Sequence, residues 1–427
     1  MDGFLGAAFR SFAGRIIGAA SALAAAHAVT STLTLNDSGL FFLSLGFAIF
    51  FSHLLRFGLD IFALKKCAIY LNDRNYKDFL SIVLACCLAV IAGSALIYFV
   101  LYASGFVVNY KYMYYLLLIF PAGLAVALTG VIAHSLHAAG YVFTGSVTNL
   151  SAHFIIFTVL VWILSPSDVN SVISLFTTAC FVALFIQIIA ALYVYSINGF
   201  TIEDTKKVQL AQVDFREIYQ TTLPLWMVVI AQQLNQLGAQ FISSLYIDET
   251  EIAFLAVATR IALIVPMVLT AVNMVVSPKF AALHHSGDTQ KTEEVLTKSL
   301  KLLAVVSSGI FLVIVFFGSN VLEIFGTQYT QAAGILTILV CGQLVNALTG
   351  PSGKLLMMSG YEKDFRNSSV VVTAIGLLLA LVLVAQYGVY GAAVATALTI
   401  ATQNIAVAYL VKQRMGINLL RLYANFF

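Results

Sequence analysis

Ala347-Leu-Thr-Gly-Pro-Ser-Gly-Lys-Leu-Leu-Met-Met-Ser-Gly-Tyr361 has a second copy in the same chain. Residues 127–141 read Ala-Leu-Thr-Gly-Val-Ile-Ala-His-Ser-Leu-His-Ala-Ala-Gly-Tyr. Ala127/Ala347, Leu128/Leu348, Thr129/Thr349, Gly130/Gly350, Leu136/Leu356, Gly140/Gly360 and Tyr141/Tyr361 match without a gap, half a chain apart. Each copy reads as the end of an apolar helix running into a short loop. A protein built from two similar halves has this signature.

The composition says what surrounds those helices. Of 427 residues, 61% are hydrophobic and 10% are charged, against about 25% charge in a soluble domain. So much apolar surface needs lipid as its solvent. Crossing a ~30 Å hydrocarbon layer takes about 20 apolar residues as a helix, because backbone groups must be satisfied internally. The apolar runs are long and do not alternate, which excludes an outer-membrane barrel. The net charge of +3 points to no nucleic-acid partner. Cys67, Cys86, Cys87, Cys180 and Cys341 show neither metal-ligand nor redox spacing, and no cofactor or catalytic group is expected.

Twelve spans are expected: 11–35, 38–62, 79–104, 112–137, 144–165, 170–197, 219–245, 251–276, 299–318, 331–357, 367–386 and 388–411. Arg10 and Arg15 before an apolar run imitate a signal peptide. The run continues to Leu35, so it reads as an uncleaved first span. Lys65, Lys66, Arg74 and Lys77, then Lys206, Lys207 and Arg216, then Lys279 and Lys291, then Lys363 and Arg366, and finally Lys412, Arg414 and Arg421 fall in loops of one side. The positive-inside rule places those loops and both termini in the cytoplasm. The chain therefore divides into a first lobe at 1–200, a cytoplasmic linker at 201–218 and a second lobe at 219–427. Six spans per lobe make the repeats parallel, related by an axis along the membrane normal. Residues 280–298 read as amphipathic and surface-lying.

Ionisable residues inside a membrane are functional candidates by default. Arg260 lies nine residues past Glu251, about 13.5 Å into the layer. Arg56 is similarly deep, and Asp60 stands one turn on, where i and i+4 meet. Asp60 would hold Arg56 towards a cavity and release it to an arriving anion. Lys354 shares a helix face with Gln343, Asn346 and Gly350, and Gly350-Pro351 should bend that helix. His134 stands opposite Lys354 in the other copy. Gln232, Gln236 and Gln240 form a polar stripe, which serves either as interhelical glue or as a lumen wall that binds sugar hydroxyls. Of 19 acidic residues only Asp60 lies well inside a span. Cations without anions favour a negatively charged substrate, and phosphate suits the arginine fork.

Leu223-Pro224, Arg260-Ile261, Pro278-Lys-Phe-Ala-Ala-Leu283, Gly287-Asp288, Phe325-Gly-Thr-Gln-Tyr329, Ala332, Gly360, Gly388 and Gly391-Ala392 follow one another in a familiar order. With Gly39 and Phe57-Gly58-Leu59 they resemble the polysaccharide transporters of the multidrug/oligosaccharidyl-lipid/polysaccharide exporter superfamily, most closely the Wzx-type O-antigen flippases. The chain departs from that pattern at Thr30-Ser-Thr-Leu-Thr-Leu35, where the family commonly has an arginine. The resemblance implies an all-α membrane protein with two six-helix lobes in a V around a central cavity. It implies a bacterial inner-membrane flippase that moves an undecaprenyl-pyrophosphate-linked oligosaccharide, such as an O-antigen repeat unit of lipopolysaccharide, to the outer leaflet by alternating access. The expected partners are that lipid-linked glycan, the lipid bilayer, H⁺ or Na⁺ as coupling ion and a polysaccharide polymerase. Arg56, Arg260 and Lys354 are the expected pyrophosphate contacts. One rival is a cation-coupled multidrug exporter of the same superfamily, which would need a deep acidic site. A membrane glycosyltransferase or polymerase would need catalytic acids on sizeable outer loops, which are short here.

Overall fold

The chain is all-helical in a computed structural model, which describes residues 2–103, 110–200 and 215–424. No strand occurs among the described residues. Among the described residues ten helices are long and apolar enough to cross a membrane. Side chains such as Trp162, Ile163, Val305 and Phe316 stand more than half exposed. Water would penalise that surface heavily, whereas lipid does not. The chain is a multi-pass membrane protein with two compact units, Met1–Ile230 and Ala231–Phe427.

In the first unit the helices are α1 (Asp2–Thr32), α2 (Leu35–Arg56), α3 (Leu59–Asn72), α4 (Tyr76–Ala103), α5 (Met113–Ala138), α6 (Val142–Leu150), α7 (Ala152–Leu164) and α8 (Val169–Ile197). α5 is the central helix, packed on α2, α3 and α8. Phe41 of α2 stacks on Phe157 of α7 at 5.4 Å, and both meet Phe176 of α8 edge-on. Such aromatic pairs add about 0.5–1.5 kcal/mol beyond buried area.

The second span is broken where the sequence suggests continuity. Phe57 (φ 45°) and Gly58 (φ 74°) are both left-handed and separate α2 from α3. A Cβ at position 58 would lie 2.9 Å from the Thr222 carbonyl oxygen, so the close approach requires glycine. The fifth span is likewise divided at Ser151.

Helix α9 (Phe215–Ser243) holds the division between the two units. It is followed by α10 (Glu249–Ala262), α11 (Met267–Ser286), α12 (Thr289–Glu323), a 3₁₀ turn (Thr327–Ala332), α13 (Ala333–Leu348), α14 (Ser352–Met358), α15 (Glu362–Met415) and α16 (Leu419–Ala424). The span expected at 251–276 is two helices, and the second runs on to Ser286. The stretch read as a surface segment at 280–298 comprises the end of α11, a left-handed Gly287 and the start of α12, capped by Asp288. In α15 Gly388 (φ 56°, ψ −134°) interrupts the helical backbone between the last two spans. Most of the expected linker, residues 201–214, lies outside the described residues.

The two copies of the repeat share their terminal turn. Gly140 (φ 86°) and Gly360 (φ 81°) are both left-handed. Tyr141 N–H donates to the Leu136 carbonyl at 2.9 Å, and Tyr361 N–H to that of Leu356 at 3.0 Å. Upstream they differ. The first copy is unbroken helix to Ala138, whereas the second stops at Leu348, passes through left-handed Gly350 and restarts at Ser352. The bend read from Gly350-Pro351 is there, and its cause is the pair of residues least suited to a helix interior.

Candidate functional site

The first unit buries an ion pair. The last turn of α2 carries His53 and Arg56, and the first turn of α3 carries Asp60. Arg56 Nη1 donates to Asp60 Oδ2 at 3.0 Å, with side chains 9% and 14% exposed. Arg56 Nε donates to the Ser52 carbonyl at 3.0 Å, and the Ile61 N–H donates to Asp60 Oδ1 at 2.9 Å. The pair thus forms across the helix break, not along one continuous helix. The break helps, because Asp60 becomes an N-terminal residue of α3, where a carboxylate is favoured. Gly130 of α5 lies beneath the guanidinium. One turn on, His134 Nδ1–H donates to the Gly130 carbonyl at 2.8 Å, and His53 Nδ1–H to that of Ile49 at 2.9 Å. Carbonyls only accept, so Nδ1 carries the hydrogen in each imidazole.

The second unit contains a polar cleft of about 240 Å³. α9 contributes Gln232, Asn235 and Gln236; α11 contributes Asn273; α13 contributes Gln343 and Asn346. Lys354 of α14 and Gln403 and Asn404 of α15 complete its polar wall, with Phe365 as an aromatic face. No aspartate or glutamate is among the described residues that line it. Much of the wall is pinned. Asn346 Nδ2 donates to Gln343 Oε1 at 3.2 Å, and Thr349 Oγ1 donates to Asn404 Oδ1 at 3.2 Å. Thr373 Oγ1 donates to Asn235 Oδ1 at 2.8 Å, and Gln403 Nε2 donates to Ser369 Oγ at 3.1 Å. Below Gln343, the Gly342 Cα lets the α15 backbone approach so closely that a Cβ there would sit 2.7 Å from the Ala397 Cα. Small residues at membrane helix contacts allow this.

The residues singled out in the sequence therefore divide. Arg56, Asp60 and His134 gather in the first unit. Gln232, Gln236, Gln343, Asn346 and Lys354 meet at one cleft in the second. Gln240 is buried and is not among the residues lining that cleft. Arg260 does not line it either; half-buried in the last turn of α10, its Nη1 donates to the Ala256 carbonyl at 2.9 Å. Asn273, Gln403 and Asn404 are cleft residues that the sequence did not flag as a site. Their signal was an uncharged amide within an apolar span.

Comparison with known proteins follows the fold. The MatE family model matches residues 224–385. The probable low-salt glycan biosynthesis flippase Agl15 of Haloferax volcanii is 23% identical over 169 residues. That alignment covers 39% of this chain and 36% of the relative, so only about a third of that protein's length is matched. A multidrug resistance MATE family transporter of the MOP superfamily, in an inward-facing conformation, superposes with a TM-score of 0.75 at 12% identity, covering 95% of both chains. The lipid II flippase MurJ, in an inward closed conformation, gives 0.69 at 15% identity, covering 99% of this chain and 90% of that one. The family model thus matches part of the second half of the chain, and the solved structures share its fold.

Proposed function

We propose that the chain is a flippase for an anionic lipid-linked oligosaccharide, an undecaprenyl-pyrophosphate-linked surface-polysaccharide repeat unit, working by alternating access with an ion gradient. The observation that carries this reading is the cleft of the second unit, whose described lining holds amides and one lysine and no carboxylate. A cationic drug would meet a like charge there and no counter-charge. A glycan meets hydrogen-bonding groups of both senses. The name of the Haloferax volcanii relative, a glycan biosynthesis flippase, agrees with this choice.

In this reading Arg56, Arg260 and Lys354 each supply a cation for phosphate oxygens. Asp60 keeps Arg56 paired and oriented until a phosphate replaces it. Exchange of one carboxylate for another oxyanion leaves the buried guanidinium paired throughout, which avoids the large penalty of an isolated buried charge. Gln232, Gln236, Gln343 and Asn346 face the sugar, and the lipid tail stays in the bilayer. The protein's contribution is to lower the barrier for a polar head that hydrocarbon excludes.

Deletion of the gene, with analysis of surface polysaccharide and of lipid-linked intermediates, tests this. Loss of the glycan with accumulation of its lipid-linked precursor is expected. Unchanged glycans with altered drug tolerance would overturn the reading in favour of an exporter.

A further inference from the structure

We infer that the cleft of the second unit is a subsite for one neutral sugar ring, held by Asn273 and Gln403. The inference deepens the flippase reading and rests on it. Eight of the lining side chains are amides: three on α9, one on α11, two on α13 and two on α15. An amide presents N–H donors and a carbonyl acceptor side by side, and a hydroxyl is both donor and acceptor. A wall of amides is therefore complementary to a ligand made of hydroxyls. A hard cation would call for carboxylate oxygens, and none is among the described lining residues. A multiply charged anion lodged wholly in the cleft would call for an arginine fork; no arginine is among the described lining residues, and the cation there is Lys354, which in the flippase reading meets a phosphate oxygen beside the ring.

Two atoms in this wall have no hydrogen-bond partner although they are buried. They are Asn273 Oδ1 and Gln403 Oε1. Their neighbours are committed: Asn235 to Thr373, Asn346 to Gln343, and Asn404 to Thr349 and the Ile400 carbonyl. The cleft thus has a fixed polar frame and, behind its surface, two unused acceptors on different helices, α11 and α15, which rotation of each amide would bring to a ligand. Buried polar atoms are seldom left unsatisfied. Turning over the Asn273 amide would present donors in place of the acceptor, and a hydroxyl satisfies either arrangement.

Shape sets the size of the ligand. A volume of about 240 Å³ falls below the ~300–1,000 Å³ of pockets that enclose a drug-sized molecule. It suits one ring of a larger glycan. Phe365 lines the cleft as an apolar surface for the C–H face of a pyranose, and Gly353 makes room for its ring, since a Cβ there would lie 3.0 Å from it.

The test uses the purified full-length protein in lipid nanodiscs. Saturation-transfer NMR is read on free glucose, galactose and N-acetylglucosamine. Transfer to the ring protons of at least one sugar is expected for the wild type. Asn273→Leu and Gln403→Met, tested separately, should each weaken it about tenfold, as loss of a hydrogen bond to an uncharged partner implies. The substitutions lie on separate helices, so a folding fault in one leaves the other as a measurement. Absence of transfer in the wild type, or unaltered transfer in a folded variant, would overturn the subsite. Binding of sugar-free undecaprenyl pyrophosphate by the wild type is the separate readout for the flippase reading. Sugar transfer without lipid binding would sink that reading and spare the subsite; lipid binding without sugar transfer would do the reverse.

Discussion

The Arg56 guanidinium lies over the bare Cα of Gly130. A Cβ built on Gly130 would stand 2.5 Å from Arg56 Nη1 and 2.9 Å from its Cδ. Position 130 is ordinary helix, so the glycine serves space, not backbone conformation. In Gly130→Ala the flexible arginine must swing away and lose the Asp60 contact. A charge-assisted hydrogen bond contributes about 1.5–3 kcal/mol, so transport should fall about tenfold or more while protein abundance in the membrane is maintained. Quantified surface glycan beside an immunoblot of membranes decides it; wild-type glycan would show that Arg56 can be moved without consequence.

The Arg56–Asp60 pair also makes a prediction about stability. Both side chains are less than a fifth exposed. Removing one partner of such a pair strands a buried charge and typically destabilises by about 3–5 kcal/mol. Arg56→Leu and Asp60→Leu should therefore each lower the melting temperature of the detergent-solubilised protein more than the double variant does. Additive losses would mean that the two charges are solvated independently.

These contacts show what could be read from sequence. Composition alone required membrane helices, and Gly350-Pro351 announced a real break. The i, i+4 spacing of Arg56 and Asp60 found a true contact, although Phe57 and Gly58 are left-handed between them. The break needed the Thr222 carbonyl against Gly58, a contact over 164 positions (58 to 222) that no local pattern carries. Gln240 shows the limit of the stripe argument. Each four-residue step advances a helix about 40° past a full turn, so two steps rotate the side chain about 80° from Gln232, off the cleft and into the interior. Asn273 and Gln403 were hidden for another reason. Asn273 sits alone in an apolar run and Gln403 has only Thr402 and Asn404 beside it, and only the packing of α11, α14 and α15 brings them to one wall.

Arg260 separates a structural strut from a phosphate clamp. Its one-turn bond to the Ala256 carbonyl needs a single N–H, which a lysine also has. Bidentate recognition of a phosphate needs the planar fork. Arg260→Ala should abolish surface glycan with abundance intact, and Arg260→Lys should recover only part of it. Full recovery with lysine, or normal export with alanine, would leave Arg260 as a strut.

Asp168 supplies a pH test that is independent of transport. It caps α8 from outside the span, with Ser171 Oγ donating to Oδ2 at 2.6 Å and Ser171 N–H to Oδ1 at 2.9 Å. These two bonds hold its carboxyl below the ordinary carboxylate range. A depressed folded pKa stabilises above the unfolded value and is lost as pH falls through the folded one. The difference in melting temperature between wild type and Asp168→Ala should therefore be present at neutral pH and shrink in acid below the ordinary carboxylate range. A difference that stays constant across that range would remove the carboxylate's charge from the explanation.

Lys354 stands in the cleft where the first copy of the repeat has a histidine, and the two copies place these residues differently. His134 follows an unbroken turn and bonds back to Gly130. Lys354 belongs to α14, a short helix that begins after left-handed Gly350 and shares its cleft with Gln343, Asn346 and Asn404. If its ammonium only snorkels to the interface, the sign of the charge matters little, and Lys354→Ala and Lys354→Glu should impair export equally. If the cation meets a phosphate oxygen, alanine removes an attraction whereas glutamate adds a repulsion. Lys354 is exposed, so salt screens that repulsion at a distance but not at direct contact with the phosphate. Export should then be reduced by Lys354→Ala and reduced at least about tenfold further by Lys354→Glu, a factor that corresponds to about 1.4 kcal/mol. Arginine at the same position keeps the charge but not the compact head, so Lys354→Arg should stay nearest to wild type. Quantified surface glycan at matched protein abundance ranks the three variants, and equal loss in alanine and glutamate would reduce Lys354 to an interfacial anchor.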